Sequence, residues 1–369
     1  MIQLDTLDAQ TRRVLSENHF STLPFEELVR RFIEGGLDPA ANRLEEDVQM
    51  LPSFELRPLP EPGSAAYERL SLIGRRAIEA GQVGAVVLNG GMATRFGGTA
   101  KGIAKALAGR SFLDWKLSQI QFAGKGKVPA LLMNSFATDA MTRRHLEELR
   151  LDLDIRCFTQ MVSLRLTESG ELFFDKDGKP SLHAPGHGDF PYALKESHEL
   201  SRFIDGGGKY LTLSNVDNLG AGLDPAVIGA HIDGCRPMTV ELVDTWPGDV
   251  GGFPALVSGK ATIVEAFRAP VGIDPGASPV FNTNTFVFDA SALHIDRDLT
   301  WFAVTKNVDG KKAVQFERLV GQLADFMPVT WLKVPRRGEQ SRFVPIKLPS
   351  DLETSAELLR GVLAGQGVI

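Results

Sequence analysis

Cysteine is scarce in this chain. Only Cys157 and Cys235 occur, and they stand at no metal-ligand spacing. They build neither a zinc site nor a disulfide framework, and the reading they support is two reduced thiols in a cytoplasmic protein. Long apolar runs are also missing: none approaches the ~18 residues needed to cross a membrane. The first residues carry Asp5 and Asp8 and no apolar segment, which argues against a signal peptide. Positive charge is not in excess, with 40 Lys and Arg against 46 Asp and Glu and a net charge of −6. That balance argues against a general nucleic-acid binder. It leaves anionic ligands open, because a few basic side chains in a cleft reverse the local field. No Gly-x-x-x-x-Gly-Lys-Ser/Thr string occurs, so there is no Walker P-loop, and no Gly-x-Gly-x-x-Gly string, so the dinucleotide fingerprint is absent. Internal repeats and low-complexity segments are absent too. The 369 residues are 43% hydrophobic and 23% charged, enough for one large soluble domain or two modest ones.

The most informative stretch that is present runs from Val83 to Gly102. The apolar run Val83–Leu88 reads as a buried strand, and it empties into a loop with five glycines, Arg95 and Lys101. Glycine lets a main chain approach an anion closely and turns its N–H groups inward. Before this point, Phe25–Ile33 and Ala66–Ala80 have helical periodicity, and the proline-rich Leu51–Gly63 reads as an extended crossing. After it, strands and helices alternate. Val128–Met133, Asp154–Phe158, Tyr210–Leu213, Met238–Val243, Thr285–Phe288 and a short Phe343–Ile346 are expected as strands. Phe112–Ala123, Thr138–Leu149, Pro225–Ile232 and Val314–Phe326 are expected as helices, with Thr138 or Asp139 able to cap the second. This alternation implies an α/β domain with a mixed, mainly parallel sheet flanked by helices. The expected organisation is an N-terminal helical segment over 1–80, a catalytic domain over 81–350 and a C-terminal helix over 351–369.

In open α/β sheets ligands bind past the carboxyl ends of the strands. Polar groups gather at five such ends: the glycine loop, Asn134-Ser135, Gln160, Ser214–Asn218 and Lys347. Each has a plainer reading alone. The glycine loop could be a tight turn. Asn215 and Asp217 could be turn formers, Gln160 a satisfied polar residue, and Lys347 a solvated charge. His187 lies between two glycines in Pro185–Asp189, which suggests close approach of a ligand or a structural turn.

Taken in order, these motifs resemble the UTP–glucose-1-phosphate uridylyltransferase family of the eukaryotic type. The resemblance rests on Leu88-Asn-Gly-Gly-Met-Ala-Thr94, Leu132-Met-Asn-Ser-Phe-Ala-Thr-Asp139, Pro185-Gly-His-Gly-Asp189 and Leu213-Ser-Asn-Val-Asp-Asn-Leu-Gly220, then Phe281-Asn-Thr-Asn284 and Ser341-Arg-Phe-Val-Pro-Ile-Lys347. It runs from about Leu88 to Leu352. It favours this branch over the UDP-N-acetylhexosamine pyrophosphorylases, which lack the Pro-Gly-His-Gly-Asp loop. The resemblance implies a Rossmann-like, GT-A-like nucleotidyltransferase that makes UDP-glucose and pyrophosphate from UTP and glucose 1-phosphate, with Mg²⁺.

Roles implied by the resemblance are as follows. Leu88, Asn89, Gly90, Gly91, Met133, Gln160 and Gly186 hold the nucleotide, Gln160 reading the uracil edge and Met133 packing near the base. His187, Asn215, Gly252, Glu265 and Asn284 take the sugar phosphate. Asp217 holds Mg²⁺. Lys101, Lys347 and Arg95 act on the phosphates. Lys101 is preferred over Lys105 because the family's lysine precedes a Phe-Leu-Asp helix start by eleven residues, as Lys101 precedes Phe112 here. The chain ends 22 residues after Lys347, which leaves no room for the C-terminal β-helix of longer members. A monomer or small homo-oligomer without nucleic-acid or membrane partners is the expectation. Three other readings stand. One is a uridylyltransferase for galactose or N-acetylhexosamine 1-phosphate. Another is a UDP-sugar glycosyltransferase using Asp152-Leu-Asp154 or Asp296-Arg-Asp298 as an Asp-x-Asp motif. The third is a nucleotide-sugar sensor, which the presence of Lys101, Asp217 and Lys347 speaks against.

Overall fold

A computed structural model of the chain describes residues 7–93 and 98–369. Its centre is an eight-stranded sheet of β1 (Leu56–Pro58), β2 (Val83–Leu88), β3 (Ala130–Asn134), β4 (Ile155–Thr159), β5 (Tyr210–Asn215), β6 (Met238–Asp244), β7 (Val280–Asp289) and β8 (Val329–Lys333). The spatial order is β1-β8-β6-β7-β5-β2-β3-β4. Only β7 runs against the rest, pairing antiparallel with β5 and β6; the other pairs are parallel. The expected mixed, mainly parallel sheet is what forms.

The residues explain the layering. Every residue of β2 is buried, as a strand covered on both faces requires. Val86 and Leu88 face a core with Phe190, Leu194, Phe286 and Phe288, whereas Val83, Ala85 and Val87 face Phe112, Leu113, Leu117 and Leu359. That split is the period of two of a strand. Among the described residues the helices are α1 (Ala9–Glu17), α2 (Thr22–Ile33), α3 (Ala65–Glu79), α4 (Phe112–Gly124), α5 (Asp139–Glu148), α6 (Phe190–Glu196), α7 (Glu199–Asp205), α8 (Pro225–Gly234) and α9 (Pro349–Gly365). α3 docks on α8 at two reciprocal glycines: a Cβ on Gly74 would lie 1.9 Å from the Pro225 oxygen, and one on Gly229 1.9 Å from the Leu70 oxygen. α1 and α2 pack Leu15, Phe25, Leu28 and Val29 against Leu164, Leu166, Val314 and Phe316.

Two expectations are corrected. Val314–Phe326 is not a helix: Lys311–Glu317 is a strand paired with Phe302–Val308, and Val320–Asp325 is a 3₁₀ segment. The hairpin turns at Asp309-Gly310, both with positive φ. Asp-Gly between two strands is a strong hairpin signal, and Val314 and Phe316 fill the core beneath α2 rather than a helix face. Phe343–Ile346 is extended but is not a ladder strand, since Pro345 has no N–H to give and only Pro345 bridges to Asn218. Leu51–Gly63 crosses as expected and adds β1 to the sheet edge. A further sheet joins Val48–Met50 to the hairpin Gly252–Val257 and Lys260–Glu265.

Candidate active site

The carboxyl ends of β2, β3, β4 and β5 lie side by side, and the loops leaving them are tied together. Asn89, fully buried after β2, donates from Nδ2 to Asn134 Oδ1 (2.8 Å) and Thr142 Oγ1 (3.0 Å). Ser135 Oγ donates to the Gly90 oxygen (2.8 Å), and Thr138 Oγ1 to the Asn89 oxygen (3.2 Å). Thr138 stands at the N-cap of α5 but gives its side chain to these contacts, not to a cap. Gln160, after β4, donates its backbone N–H to the Asn134 oxygen (3.0 Å) and lays its amide over Gly90, where a Cβ would meet Nε2 at 2.1 Å. Gln160 is 5% exposed, and its Oε1 has no hydrogen-bond partner among the described residues. An orphaned buried acceptor costs about 1–3 kcal/mol, so this oxygen is a natural place for a ligand N–H.

Beside this floor stands a charged pair. Lys101 is buried, and its Nζ donates to the Ile346 oxygen (2.5 Å) and lies 3.9 Å from Asp217 Oδ2. Lys105 is exposed and forms an isolated bridge with Ser111. Burial pushes the Asp217 carboxyl above its ordinary pKa, while Lys101, Lys347 and the backbone draw it back. Lys347, directly after Ile346, is exposed. Asn284 donates from Nδ2 to Asn215 Oδ1 (3.1 Å), joining β7 to the end of β5. Gly252 and Glu265 face each other across their hairpin, and burial raises the Glu265 carboxyl to about 7 against the pull of Arg268.

The Pro185–Asp189 loop forms the next wall. His187 Nδ1 accepts from the Val320 N–H (3.1 Å), which leaves the proton on Nε2. Burial lowers this imidazole to about 4, so it is a neutral donor at pH 7. The close approach that its glycines suggested is to the protein itself. Gly186 has φ +88°, and a Cβ on Gly188 would lie 2.2 Å from the Leu319 nitrogen.

The family described as UTP–glucose-1-phosphate uridylyltransferase matches residues 40–359. This chain belongs to that family. It is 30% identical to UTP–glucose-1-phosphate uridylyltransferase 2 of Dictyostelium discoideum over 74% of its length, and spans 58% of that relative. It is also 30% identical to the UTP–glucose-1-phosphate uridylyltransferase of Solanum tuberosum, over 92% of this chain and 72% of the relative. In fold it is similar to the uridine diphosphate N-acetylglucosamine pyrophosphorylase of Trypanosoma brucei, solved with an inhibitor. That match has a TM-score of 0.75 at 19% identity and covers 97% of this chain and 80% of the other.

Within this uridylyltransferase family fold, the expected residues divide. Lys101 and Asp217 come together, as do Gly90 with Gln160, Asn215 with Asn284, and Gly252 with Glu265. Leu88 lines up with Asn215 in the sheet, and Gly91 accepts the Lys101 N–H at 2.9 Å. Arg95 lies outside the described residues. Met133, paired with Leu88 across β3 and β2, is 1% exposed and packs with Leu131 and Phe158.

Three further residues received no role from the sequence. Lys116, 2% exposed on the inner face of α4, donates to the Asn218 (2.6 Å) and Ala221 (2.7 Å) oxygens. Burial, and secondarily Arg342, push its ammonium down to about 7. Arg342 clasps Glu241 with two hydrogen bonds of 2.5 and 2.7 Å, and both residues are buried. A helical wheel of α4 shows Lys116 beside Leu113, Leu117 and Ile120, which was the one available signal.

Among the described residues no three His, Cys, Asp or Glu gather as a metal cage. A lone carboxylate suits Mg²⁺, which commonly takes one or two protein carboxylates and completes its shell with phosphate oxygens and water. No helix among the described residues is long and apolar enough to cross a membrane.

Proposed function

We propose that this chain transfers UMP from UTP to glucose 1-phosphate, releasing UDP-glucose and pyrophosphate in the cytoplasm. The observation that carries the reading is the buried Lys101 opposite Asp217 beside the glycine loop, in a member of this family. A phosphate oxygen of the sugar phosphate forms a bond to the α-phosphorus of UTP as the bond to the bridging oxygen of pyrophosphate breaks. The nucleophile is already an anion, so no general base is required. The obstacle is repulsion between two polyanions, and catalysis rests on positioning and on cations aimed at the phosphates.

Leu88–Gly91 and Gly186 cradle the nucleotide. Gln160 offers its unpartnered Oε1 to the uracil N–H. Lys101 and Arg95 bind the transferring phosphates, and Lys347 clamps them from the other side. His187 donates its Nε2 proton to the sugar phosphate, while Asn215, Asn284, Glu265 and the Gly252 backbone take the glucose hydroxyls. Mg²⁺ held by Asp217 would supply charge neutralisation at the phosphates.

Neither Asp-x-Asp string favours a glycosyltransferase. Asp154 precedes β4 and pairs with Arg156 (2.6 Å), and the Asp296 side chain is 92% exposed. The test is pyrophosphate release from UTP with a panel of sugar 1-phosphates. Fast turnover of glucose 1-phosphate is expected. Faster turnover of galactose or N-acetylhexosamine 1-phosphate would replace the sugar, and no release with any of them would sink the reading.

A further inference from the structure

The loop after β5 has its main chain gripped from behind. Six consecutive carbonyls, Asp217 to Gly222, each accept from a donor outside the loop. The Ile346 N–H takes Asp217 (3.1 Å), Gln119 takes Leu219 (2.6 Å), Gln366 takes Gly220 (3.2 Å) and Arg342 takes Gly222 (3.2 Å). Lys116 alone takes two, those of Asn218 and Ala221. With the carbonyls turned back, the Asp217 carboxylate is left on the front, opposite Lys101.

We propose that Lys116 is a positioning residue for the transfer reaction: its buried ammonium fixes the loop and thereby sets where Asp217 sits against Lys101 and the phosphates. This rests on the uridylyltransferase reading above. Burying an ammonium is costly unless it is paired or hydrogen-bonded. A leucine or methionine would fill the inner face of α4 without that cost but could not draw two carbonyls to one point. Misplacing a reacting group by about 1 Å can cost on the order of 10²-fold in rate.

The test uses the full chain with Lys116→Met, which keeps the stem and removes the donors, and Lys116→Ala with and without n-propylammonium, which supplies the missing atoms. The readouts are the melting temperature, kcat and KM with UTP and glucose 1-phosphate, and hydrogen exchange of the backbone over 216–222. The expectation for Lys116→Met is a folded protein whose kcat falls about 100-fold, with the UTP KM changed less than threefold and faster exchange confined to that loop. In Lys116→Ala, propylammonium is expected to restore kcat at least tenfold without raising it in the wild type. Should Lys116→Met fail to fold, recovery of turnover by propylammonium in Lys116→Ala carries the proposal, and lack of recovery overturns it. A folded Lys116→Met with normal kcat, or one merely less stable with normal turnover per folded molecule, also overturns it. Asp217→Asn run in parallel separates the two readings. If it is inactive while Lys116→Met is normal, only the positioning role fails. If it keeps full turnover, the assigned site fails and the proposal with it.

Discussion

Two loops frame the site and are held by opposite means. The loop after β5 is held by side chains that reach it from α4, from Gln366 just past α9 and from Arg342, and its backbone oxygens are the handles. The Pro185–Asp189 loop is held by close approach of its main chain, with one buried ion pair beside it. Gly186 and Gly188 let it lie against Arg318 and Leu319, with the Gly188 N–H on the Arg318 oxygen (2.8 Å) and Asp189 in a buried ion pair with Arg318. The first device gathers charge behind a carboxylate. The second brings two main chains close and presents a neutral histidine. On the proposed reading, a site for two anions would use both, one to place charge and the other to place a donor without adding it.

The sharpest way to break the contrast is at Arg342. Arg342→Met leaves Glu241 buried and unpaired, and removing one partner of such a pair costs about 3–5 kcal/mol. Denaturant unfolding should show that loss, with most of it regained in Arg342→Met/Glu241→Leu. Failure of the double variant to recover would mean that Arg342 acts mainly by holding the Gly222 carbonyl and Asp224. Next is the front of the same loop. Lys101→Met is expected to lower kcat by about 10²–10³, measured as pyrophosphate release. A smaller loss would shift the work to Lys347 or Arg95.

In the glycine-held loop the expected effect is smaller. Gly188→Ala puts a Cβ 2.2 Å from the Leu319 nitrogen and 2.3 Å from the Arg318 carbonyl carbon, and overpacking of this kind costs about 1–3 kcal/mol. The kinetic signature should be a raised KM for the sugar phosphate, as His187 moves with the loop. A raised KM for UTP alone would put this loop on the nucleotide instead.

The difference between the loops also decides what is legible in sequence. Glycines at fixed spacing announce a backbone that must come close to something, though not to what; here the partner is Leu319, far along the chain. β2 was readable to the residue because a fully buried parallel strand is a continuous apolar run. That Asp217 and Lys101 would lie near one another was readable because they follow strands at the same end of the sheet and sit in family motifs. Lys116 was not, because a lysine in a helix reads as a solvated charge until the loop opposite it is in place. The Val314–Phe326 stretch failed for a related reason. Its apolar residues fit a helical spacing as well as a strand, and the Asp309-Gly310 turn that arbitrates lies just before it.

The smallest expected effects come from pH, and Glu265 and His187, on the two sides of the proposed sugar subsite, answer with opposite signs. Glu265 has its folded pKa raised from 4.5 to about 7, so the folded state binds the extra proton between these values. Its stabilising share is present below about pH 4.5 and is lost as pH rises through 7. His187 has its folded pKa lowered from 6.5 to about 4, so the unfolded chain binds the extra proton in that window. Here stability is full above about pH 6.5 and is lost as pH falls toward 4. Thermal melts of Glu265→Gln against wild type should therefore differ in slope between pH 5 and 8, the variant losing less stability on the alkaline side. Melts of His187→Gln should lose less between pH 6.5 and 4. The same ionisation should enter catalysis, because a carboxylate accepts from sugar hydroxyls more strongly than a carboxylic acid does. The glucose 1-phosphate KM is then expected to fall more steeply from pH 6 to 8 in the wild type than in Glu265→Gln, where the second ionisation of the substrate phosphate, at about 6, remains. A wild-type profile no steeper than that of Glu265→Gln would move Glu265 out of the sugar subsite and leave Asn215 and Asn284 to read the hexose.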